Sequence, residues 1–264
     1  MRRIAVWAVL VCFSLPLIAQ DSIHFVPADR VAVRVMREVP SIDVAPGVHV
    51  RTVVGATGSF SLGDFDPGGV APLHHHTREQ ADVGLSGVFD VTLGNRVEPV
   101  GPGAGVIIPP NVTHSIANIR SGVMTLIEFH TVPRPDLVPP RPAMTFPASP
   151  EPVALPPERR LVVQMDKSGG EQPDAPTTIV GETSTMAWRR LRNGAAPTDV
   201  TAAGRGGERF VYVVRGEAGL FASGSEQRVS AGSVVVIPAG TKNVRMRAMD
   251  TGDVAIVEFS LARR

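Results

Sequence analysis

Two regions of the chain repeat each other in the same order, and this duplication constrains the fold more strongly than any other feature of the sequence. Residues that set turns and strand ends recur at a constant offset of 129: Gly87 and Gly216, Gly103 and Gly232, Pro109 and Pro238. Upstream, Val54-Gly55 recurs as Val180-Gly181 at an offset of 126. Matching segments in one order, with only small changes of offset, indicate two copies of one domain.

Each copy has the residue pattern of a β domain. In the first copy, short runs that are apolar or alternating cover 50–54, 88–93, 105–108 and 125–129, and most are bounded by Gly, Pro, Asn or Asp. The 26 glycines, 24 prolines and 5% aromatic residues fit many short strands joined by turns. The sequence therefore predicts an all-β chain of two tandem sandwiches or jelly-roll barrels.

A proline-rich stretch separates the two copies. Ten prolines lie between positions 133 and 157. Proline has no N–H and a fixed φ, so this stretch cannot form a helix or an inner strand, and we expect a semi-rigid linker. The predicted organisation is an N-terminal barrel over 20–132, a linker over 133–160 and a C-terminal barrel over 161–264.

The N-terminus resembles a targeting segment. Arg2 and Arg3 precede an apolar run of 16 residues that ends at Ala19. This run is shorter than the roughly 20 residues of a membrane-spanning helix, so residues 1–19 are predicted to be a cleaved signal peptide, with an uncleaved anchor as the alternative. Cys12, the only cysteine, lies in the run, so the mature chain would have no disulfide. We expect a periplasmic or secreted protein without a membrane span in the mature chain.

Three consecutive histidines form the first candidate site. On a strand, His74 and His76 would share one face, with His75 on the other. Two imidazoles about 7 Å apart on one face can converge on a metal ion. Plain surface polarity explains three adjacent histidines equally well.

A fourth histidine follows an apolar strand and a turn. Residues 103–118 read GAGVIIPPNVTHSIAN, in which Pro109-Pro110-Asn111 forms the turn and His114 follows it. Asn111 can adopt the positive φ for which turns often use glycine. On its own, His114 would more often be a hydrogen-bonded structural residue than a ligand.

Together these segments resemble the two motifs of the cupin superfamily. In the first motif, His74-x-His76 is followed after three residues by Gln80 and after six more by Gly87. In the second, Pro109 is followed by Asn111 in the family's glycine position, and then by His114 and Asn118. The resemblance implies two cupin barrels, a bicupin, with one divalent ion (Fe, Mn, Ni, Cu or Zn) in the first barrel. The implied metal ligands are His74, His76, Gln80 and His114.

One ligand departs from the family pattern. Gln80 stands where the family usually has a carboxylate, and Glu79 beside it would face the other way on a strand. We expect Gln80 to be the ligand, with Glu79 or water as the alternatives. Without an anionic ligand the charge of the ion stays uncompensated, which favours an anionic substrate or a bound hydroxide.

The alternation that selects Gln80 also selects a catalytic candidate. Asp82 falls on the same face as Gln80, whereas Ala81, Val83 and Leu85 form an apolar opposite face. Asp82 could orient a ligand or act as a general base, or it could be a carboxylate in water at the barrel mouth. Ser115, Asn118 and His130 are weaker candidates.

The second copy has lost the metal ligands. At an offset of 129, His76, Gln80 and His114 become Arg205, Arg209 and Asn243, and no histidine follows His130. We therefore expect a structural second barrel that supports the first. An arginine cluster (Arg205, Arg209 and Arg215) could bind an anion, but pairing with Glu208, Glu217 or water is the plainer interpretation.

The sequence leaves three kinds of function open. A metal-dependent oxidoreductase of the dioxygenase type, acting on a small organic molecule, is favoured. The alternatives are a metal-dependent isomerase or lyase of a sugar or small acid, and a non-catalytic metal- or ligand-binding module. The net charge of +1 gives no reason to expect nucleic acid as a partner. The two barrels are expected to pack on each other, and a homodimer is left open.

Overall fold

A computed structural model describes residues 23–139, 155, 162–167, 175–201, 207–249 and 252–261. The predicted signal peptide and most of the predicted linker lie outside these residues. The described residues form 21 strands and two short 3₁₀ helices, which confirms the all-β prediction. None of the helices in this part of the chain has the length and apolar character needed to cross a membrane.

The strands fall into four antiparallel sheets. In chain order the strands of the first half are β1 (Ala32–Val35), β2 (Ser41–Ala45), β3 (Val48–Val54), β4 (Ser59–Phe65), β5 (Val70–His74), β6 (Gln80–Ser86), β7 (Phe89–Leu93), β8 (Arg96–Val100), β9 (Ala104–Ile108), β10 (His114–Ala117) and β11 (Met124–His130). Those of the second half are β12 (Val162–Gln164), β13 (Thr177–Val180), β14 (Ser184–Leu191), β15 (Thr198–Asp199), β16 (Arg209–Arg215), β17 (Glu217–Ala222), β18 (Ser225–Ser230), β19 (Ser233–Ile237), β20 (Arg245–Ala248) and β21 (Val254–Leu261). The 3₁₀ helices are η1 (Met36–Glu38) and η2 (Pro135–Leu137).

Each barrel combines a large sheet with a small one. The N-terminal barrel has the order β12-β9-β6-β11-β4-β3-β2 in its large sheet and β5-β10-β7-β8 in its small sheet. The C-terminal barrel has β1-β19-β16-β21-β14-β13 and β15-β20-β17-β18. Separate apolar clusters fill the two barrels, one around Phe89 and Leu126 and the other around Val211 and Leu220.

The two barrels exchange edge strands across the predicted domain boundaries. Strand β1, within the range predicted for the N-terminal barrel, pairs antiparallel with β19 of the C-terminal barrel. Strand β12, within the range predicted for the C-terminal barrel, pairs with β9 of the N-terminal barrel. Each large sheet therefore contains a strand from the other half of the chain, and the ranges 20–132 and 161–264 do not describe the sheets completely.

The large sheets pack against each other through a third apolar cluster. Ring pairs cross between the barrels, with centroids 5.4 Å apart for Phe60 and Tyr212 and 5.3 Å apart for Phe129 and Phe259. Ala81 and Val83 of β6 lie in this cluster. The apolar face predicted from alternation along β6 is therefore the face that contacts the second barrel.

Two buried glutamates link the barrels by reciprocal hydrogen bonds. The carboxylate of Glu79 accepts bonds from the backbone N–H of Glu182 at 2.6 Å and the hydroxyl of Ser184 at 2.6 Å. The carboxylate of Glu208 accepts backbone N–H bonds from Ala56 at 2.8 Å and Thr57 at 2.9 Å. Hydrogen bonds to a charged group are stronger than neutral ones. The two interactions are equivalent under the duplication, and together they fix each barrel to a turn of the other.

The reciprocal bonds explain the repeated Val-Gly pair. A Cβ atom at Gly55 would lie 2.5 Å from a carboxylate oxygen of Glu208, and one at Gly181 would lie 2.5 Å from a carboxylate oxygen of Glu79. No side chain fits at that distance. The small residue is therefore required in both copies for the same steric reason.

Asn111 serves the turn role predicted for it. Its φ is 63°, in the left-handed region, and the equivalent residue of the second barrel is Gly240 with φ of 80°. Asn adopts this region at lower cost than other non-glycine residues. The turn therefore keeps its shape despite the departure from glycine.

We expect Glu208→Gln to lower the free energy of unfolding by about 2–3 kcal/mol, because the substituted amide places an NH₂ group where backbone N–H groups need an acceptor. Chemical denaturation of the full chain measures this change. Glu217→Gln is the control, since Glu217 pairs with the exposed Arg228 and should change stability by less than about 0.5 kcal/mol. Equal stability of the two variants would contradict the role given to Glu208.

Candidate metal centre

Three histidines converge at the mouth of the N-terminal barrel. His74 ends β5 and is paired in register with His114, the first residue of β10. His76 lies in the connection between β5 and β6. One nitrogen from each ring lies within 4.8 Å of the others, so the three rings surround a common point.

Hydrogen bonds fix all three rings in the same tautomer. Nδ1 donates to a backbone carbonyl in each ring: His74 to Pro72 at 2.7 Å, His76 to Arg78 at 2.7 Å, and His114 to Val112 at 2.9 Å. A carbonyl oxygen can only accept, so Nδ1 carries the proton and Nε2 carries the ring's lone pair. This arrangement is the one that orients histidine as a metal ligand.

Gln80 points its amide oxygen at the histidines. Its Nε2 donates to the carboxylate of Asp82 at 3.0 and 3.1 Å and to that of Glu128 at 3.0 Å. Because carboxylates only accept, these bonds determine which end of the amide is the nitrogen. Oε1 then lies 2.9 Å from Nε2 of His76, so an oxygen lone pair faces a nitrogen lone pair. Two acceptors at this distance repel each other unless a cation or proton lies between them.

Protonation does not resolve this conflict at neutral pH. Burial lowers the pKa of His76 to about 4 and lowers the pKa of His74 and His114 below the ordinary value for imidazole. The three rings are therefore neutral at neutral pH, which is the form that binds metals. Nε2 of His114 is buried and has no hydrogen-bond partner among the described residues, an arrangement that is costly without a ligand. Three imidazole nitrogens and one amide oxygen fit a divalent transition metal or zinc.

Two carboxylates lie behind the amide of Gln80. Asp82 is fully buried and faces Glu128 across the β6–β11 pair. Burial, reinforced by the charge of Glu128, raises the pKa of Asp82 well above its usual value. Burial also disfavours the charged form of Glu128, but interactions with His130 and Arg134 outweigh it and lower the pKa of Glu128 to about 2. Gln80 is neutral where the family usually has a carboxylate. The negative charge lies instead behind Gln80, mainly on Glu128, which accepts a hydrogen bond from the Gln80 amide.

Glu128 belongs to a chain of hydrogen bonds that reaches the cavity. Arg78 donates from Nε to Nδ1 of His130 at 3.2 Å, which leaves the ring proton on Nε2. That nitrogen lies 2.6 Å from Oε1 of Glu128, to which it donates. Burial lowers the pKa of His130 to about 4, so the ring is neutral at neutral pH. Arg78, His130, Glu128 and Gln80 are therefore connected in sequence up to the histidines.

A cavity of about 300 Å³ opens beside the histidines. Its polar wall includes His74, His76, Gln80, Glu128 and His130. Its apolar wall is formed by Val44, Val48, Val50, Phe65, Ala71, Ile116, Leu126 and Leu137. Arg134, Asp136 and Leu137 come from the beginning of the predicted linker, in and just before η2, and they line the cavity instead of connecting the barrels in solvent.

The predicted catalytic candidate and the cavity-lining residues differ. Asp82 does not line the cavity, and its contact with Gln80 is that of an orienting residue. Glu128 was not selected from the sequence, although its position in the apolar segment LIEF was a usable signal. A charged residue in the middle of a buried strand requires partners. By register, Glu128 and His130 lie opposite Asp82 and Gln80, so alternation along β11 selects them as it selected Asp82 along β6.

Comparison with known proteins agrees with this geometry. Residues 61–130 match the family model described as the cupin domain. These residues include all four predicted ligands. The N-terminal barrel is a cupin domain.

Solved structures with two cupin barrels share the fold of the whole chain. The E. coli protein Ylba superposes with a TM-score of 0.67 at 11% identity, over 90% of this chain and 93% of that one. AerE from Microcystis aeruginosa gives 0.63 at 15% identity, over 85% and 97%. An oxalate decarboxylase variant from B. subtilis gives 0.63 at 13% identity, over 90% and 78%. At these identities the likeness shows the fold alone, and the chain is a bicupin in fold. A search of curated proteins gives no significant match.

The second cupin barrel fills the equivalent space with charged side chains. Arg209 pairs with Ser260 as Gln80 pairs with His130, so Arg209 takes the position of Gln80. Arg189 takes the position of Gly63, which lines the first cavity, and donates to Glu258 at 2.6 Å. Among the described residues, only His74, His76 and His114 form a group of three potential ligands of this kind.

Two details of the second barrel differ from the sequence predictions. Met246 pairs with Leu220 as Ile116 pairs with Val91, so Ile116 and Met246 are equivalent. Counting back two residues from each makes His114 equivalent to the buried Val244 and not to Asn243. The extra residue of the second copy therefore lies before β20.

The two described members of the suggested arginine cluster do not lie together. Arg209 and Arg215 lie at opposite ends of β16, and Arg215 pairs with Asp166 at 3.2 Å. Glu208 binds the turn of the first barrel, and Glu217 binds Arg228. Neither glutamate therefore pairs with Arg209 or Arg215, although the sequence had suggested this pairing. Arg205 lies outside the described residues.

We expect Gln80→Ala to weaken metal affinity by at least about tenfold, because it removes the oxygen beside Nε2 of His76 and leaves Asp82 and Glu128 without their shared donor. Glu79→Gln should leave metal affinity unchanged, since Glu79 binds the second barrel. Titration of the metal-free full chain with Mn(II) or Zn(II) compares the two variants.

Metal quantification provides the controls for this comparison. The wild-type protein should bind about one equivalent, His76→Ala should lose most of it, and Asn243→Ala, at an exposed position, should retain it. Two equivalents per chain, or a larger loss from Glu79→Gln than from Gln80→Ala, would contradict the assignment.

Proposed function

We propose that this bicupin is a metal-dependent enzyme that converts a small organic substrate in the cavity of its first barrel. The observation that carries the proposal is the common tautomer of three neutral histidines beside a cavity. Nε2 of His114 is buried there without a hydrogen-bond partner in the part of the chain that the structure describes. A structural metal site is normally closed by protein ligands. Here the cavity lies directly against the histidines, which favours catalysis over a structural role.

The residues around the candidate metal centre have different roles. A bound divalent ion would supply Lewis acidity or, for a redox-active metal, reactivity towards dioxygen. Asp82 holds the amide of Gln80 in place. Glu128 and His130 line the cavity and share a hydrogen bond, so they can pass a proton to or from a substrate there.

We favour an oxidoreductase of the dioxygenase type. The ligand atoms are four neutral donors, three imidazole nitrogens and one amide oxygen, which suit iron, manganese, nickel and copper as well as zinc. The apolar wall of the cavity would exclude water from a reactive intermediate.

An isomerase or lyase is the second candidate, and the Glu128–His130 pair favours it. These reactions need a proton carrier at the substrate, and this pair reaches the cavity from behind Gln80. Because one of the similar structures is an oxalate decarboxylase, oxalate is a first compound to test.

We also propose that the protein acts in the periplasm or outside the cell. The support is the basic and apolar segment over residues 1–19, which lies outside the described residues. N-terminal sequencing of the protein recovered from an exported fraction would give a new N-terminus near position 20. Recovery of the intact N-terminus from the cytoplasm would contradict export.

Oxygen uptake by the metal-loaded chain, measured over a panel of small acids and sugars, separates the candidate reactions. A dioxygenase should consume oxygen in proportion to product, whereas an isomerase or lyase should turn over equally without oxygen. In either case Glu128→Gln should lower kcat by roughly 10²-fold while metal content stays near one equivalent, because it removes a proton carrier.

Glu98→Gln, which changes a glutamate that does not line the cavity, is the control for Glu128→Gln. It should leave kcat unchanged. An absence of turnover with every compound, under both atmospheres, would favour a binding module over an enzyme.

A further inference from the structure

We propose that the substrate is a small monocarboxylic acid with a compact apolar body, and that Arg78 binds its carboxylate. This inference rests on the proposed function, because it places the substrate in the cavity beside the metal centre. It concerns recognition alone and therefore has a test of its own.

Arg78 is a preset cation in the cavity wall. It lies between the ligands His76 and Gln80, its side chain lines the cavity, and Nε donates to His130. This bond holds the guanidinium in place. Nη1 and Nη2 have no hydrogen-bond partner among the described residues, and no carboxylate of that part of the chain forms an ion pair with Arg78. A half-buried guanidinium with two unused donors fits a carboxylate, which can accept both.

The second arginine of the cavity is already neutralised. Arg134 donates from Nε to both carboxylate oxygens of Asp136, at 2.8 Å each. Asp136 lies two residues further along, in η2, and both side chains line the cavity. One arginine therefore remains to bind an anion, which indicates a substrate with one carboxylate.

The overall charge of the cavity points the same way. Among the residues that line the cavity, two arginines, Arg78 and Arg134, balance two carboxylates, Glu128 and Asp136. A bound divalent ion would leave the cavity with a net positive charge. An anionic substrate compensates this charge.

The rest of the cavity fits a short apolar group. Eight of its lining residues have apolar side chains and belong to β2, β3, β4, β5, β10, β11 and η2. Its volume of about 300 Å³ is at the lower end of the range for ligand pockets, roughly 300–1,000 Å³. A branched chain of a few carbons would occupy this wall while its carboxylate contacts Arg78.

The test compares three probes on the full chain, both metal-free and loaded with Mn(II). The probes are 3-methylbutanoate, its uncharged amide 3-methylbutanamide, and acetate, which keeps the charge without the apolar body. Calorimetry or ligand-observed NMR gives the dissociation constants. We expect 3-methylbutanoate to bind metal-free protein at least about tenfold more tightly than either of the other probes, since a hydrogen bond to a charged group contributes at least that factor.

Two substitutions separate the parts of the site. Arg78→Gln should weaken 3-methylbutanoate by at least about tenfold and leave 3-methylbutanamide nearly unchanged, so that the acid loses its advantage. Leu137→Ala should weaken the acid and the amide equally. Arg228→Gln, on the exposed surface of the second barrel, is the control and should change neither. Melting temperature and metal stoichiometry show whether each variant is folded.

Several outcomes would overturn the proposal. The first is that the wild type and Arg78→Gln bind 3-methylbutanoate with equal affinity. The second is that the wild type binds 3-methylbutanoate and 3-methylbutanamide with equal affinity. The third is that 3-methylbutanoate does not bind at millimolar concentration. Binding that requires Mn(II) and ignores Arg78 would place the carboxylate at the metal, which overturns this inference and leaves the proposed function standing. Binding that depends on Arg78 in a protein without turnover would support this inference and contradict the proposed function.

Discussion

Alternation of side chains along β6 is the constraint on which the rest of the structure depends. One face of the strand carries Gln80 and Asp82 into the first barrel, and the other carries Ala81 and Val83 into the contact between barrels. Glu79, just before the strand, continues the second face and binds the turn at Glu182. A shift of one residue would exchange the two faces and lose both the metal centre and the interface. The metal centre and the packing of the barrels are therefore set by one register.

The fold and most of the candidate metal centre could be predicted because their signals lie in short sequence segments. The duplication and the short strand runs indicate two β-barrels, and the motif spacing identifies the three histidines. The choice of Gln80 over Glu79 follows from alternation, and the structure places the side chain of Gln80 at the histidines and that of Glu79 at the second barrel.

The features that sequence reasoning missed depend on pairing between distant segments. The charged Glu128 within the apolar segment LIEF is a sequence signal, but its place in the site follows only from the pairing of β11 with β6. The lining of the cavity by η2 depends on how the chain folds back after β11, and the proline content of that stretch indicated only an extended linker. The alignment of His114 with Val244 requires the strand register, because sequence offset cannot place a one-residue insertion within a loop.

The exchange of edge strands affects how the chain can fold during synthesis. Strand β1 leaves the ribosome early, but its partner β19 follows about 200 residues later, as the pairing of Ala32 with Val236 shows. The large sheet of the first barrel likewise lacks β12 until the chain has passed residue 164. Contacts between such distant segments form slowly because long loops must close first. Neither barrel can complete its large sheet as an independent unit, and an early β1 has an unpaired edge that needs protection until the last quarter of the chain emerges.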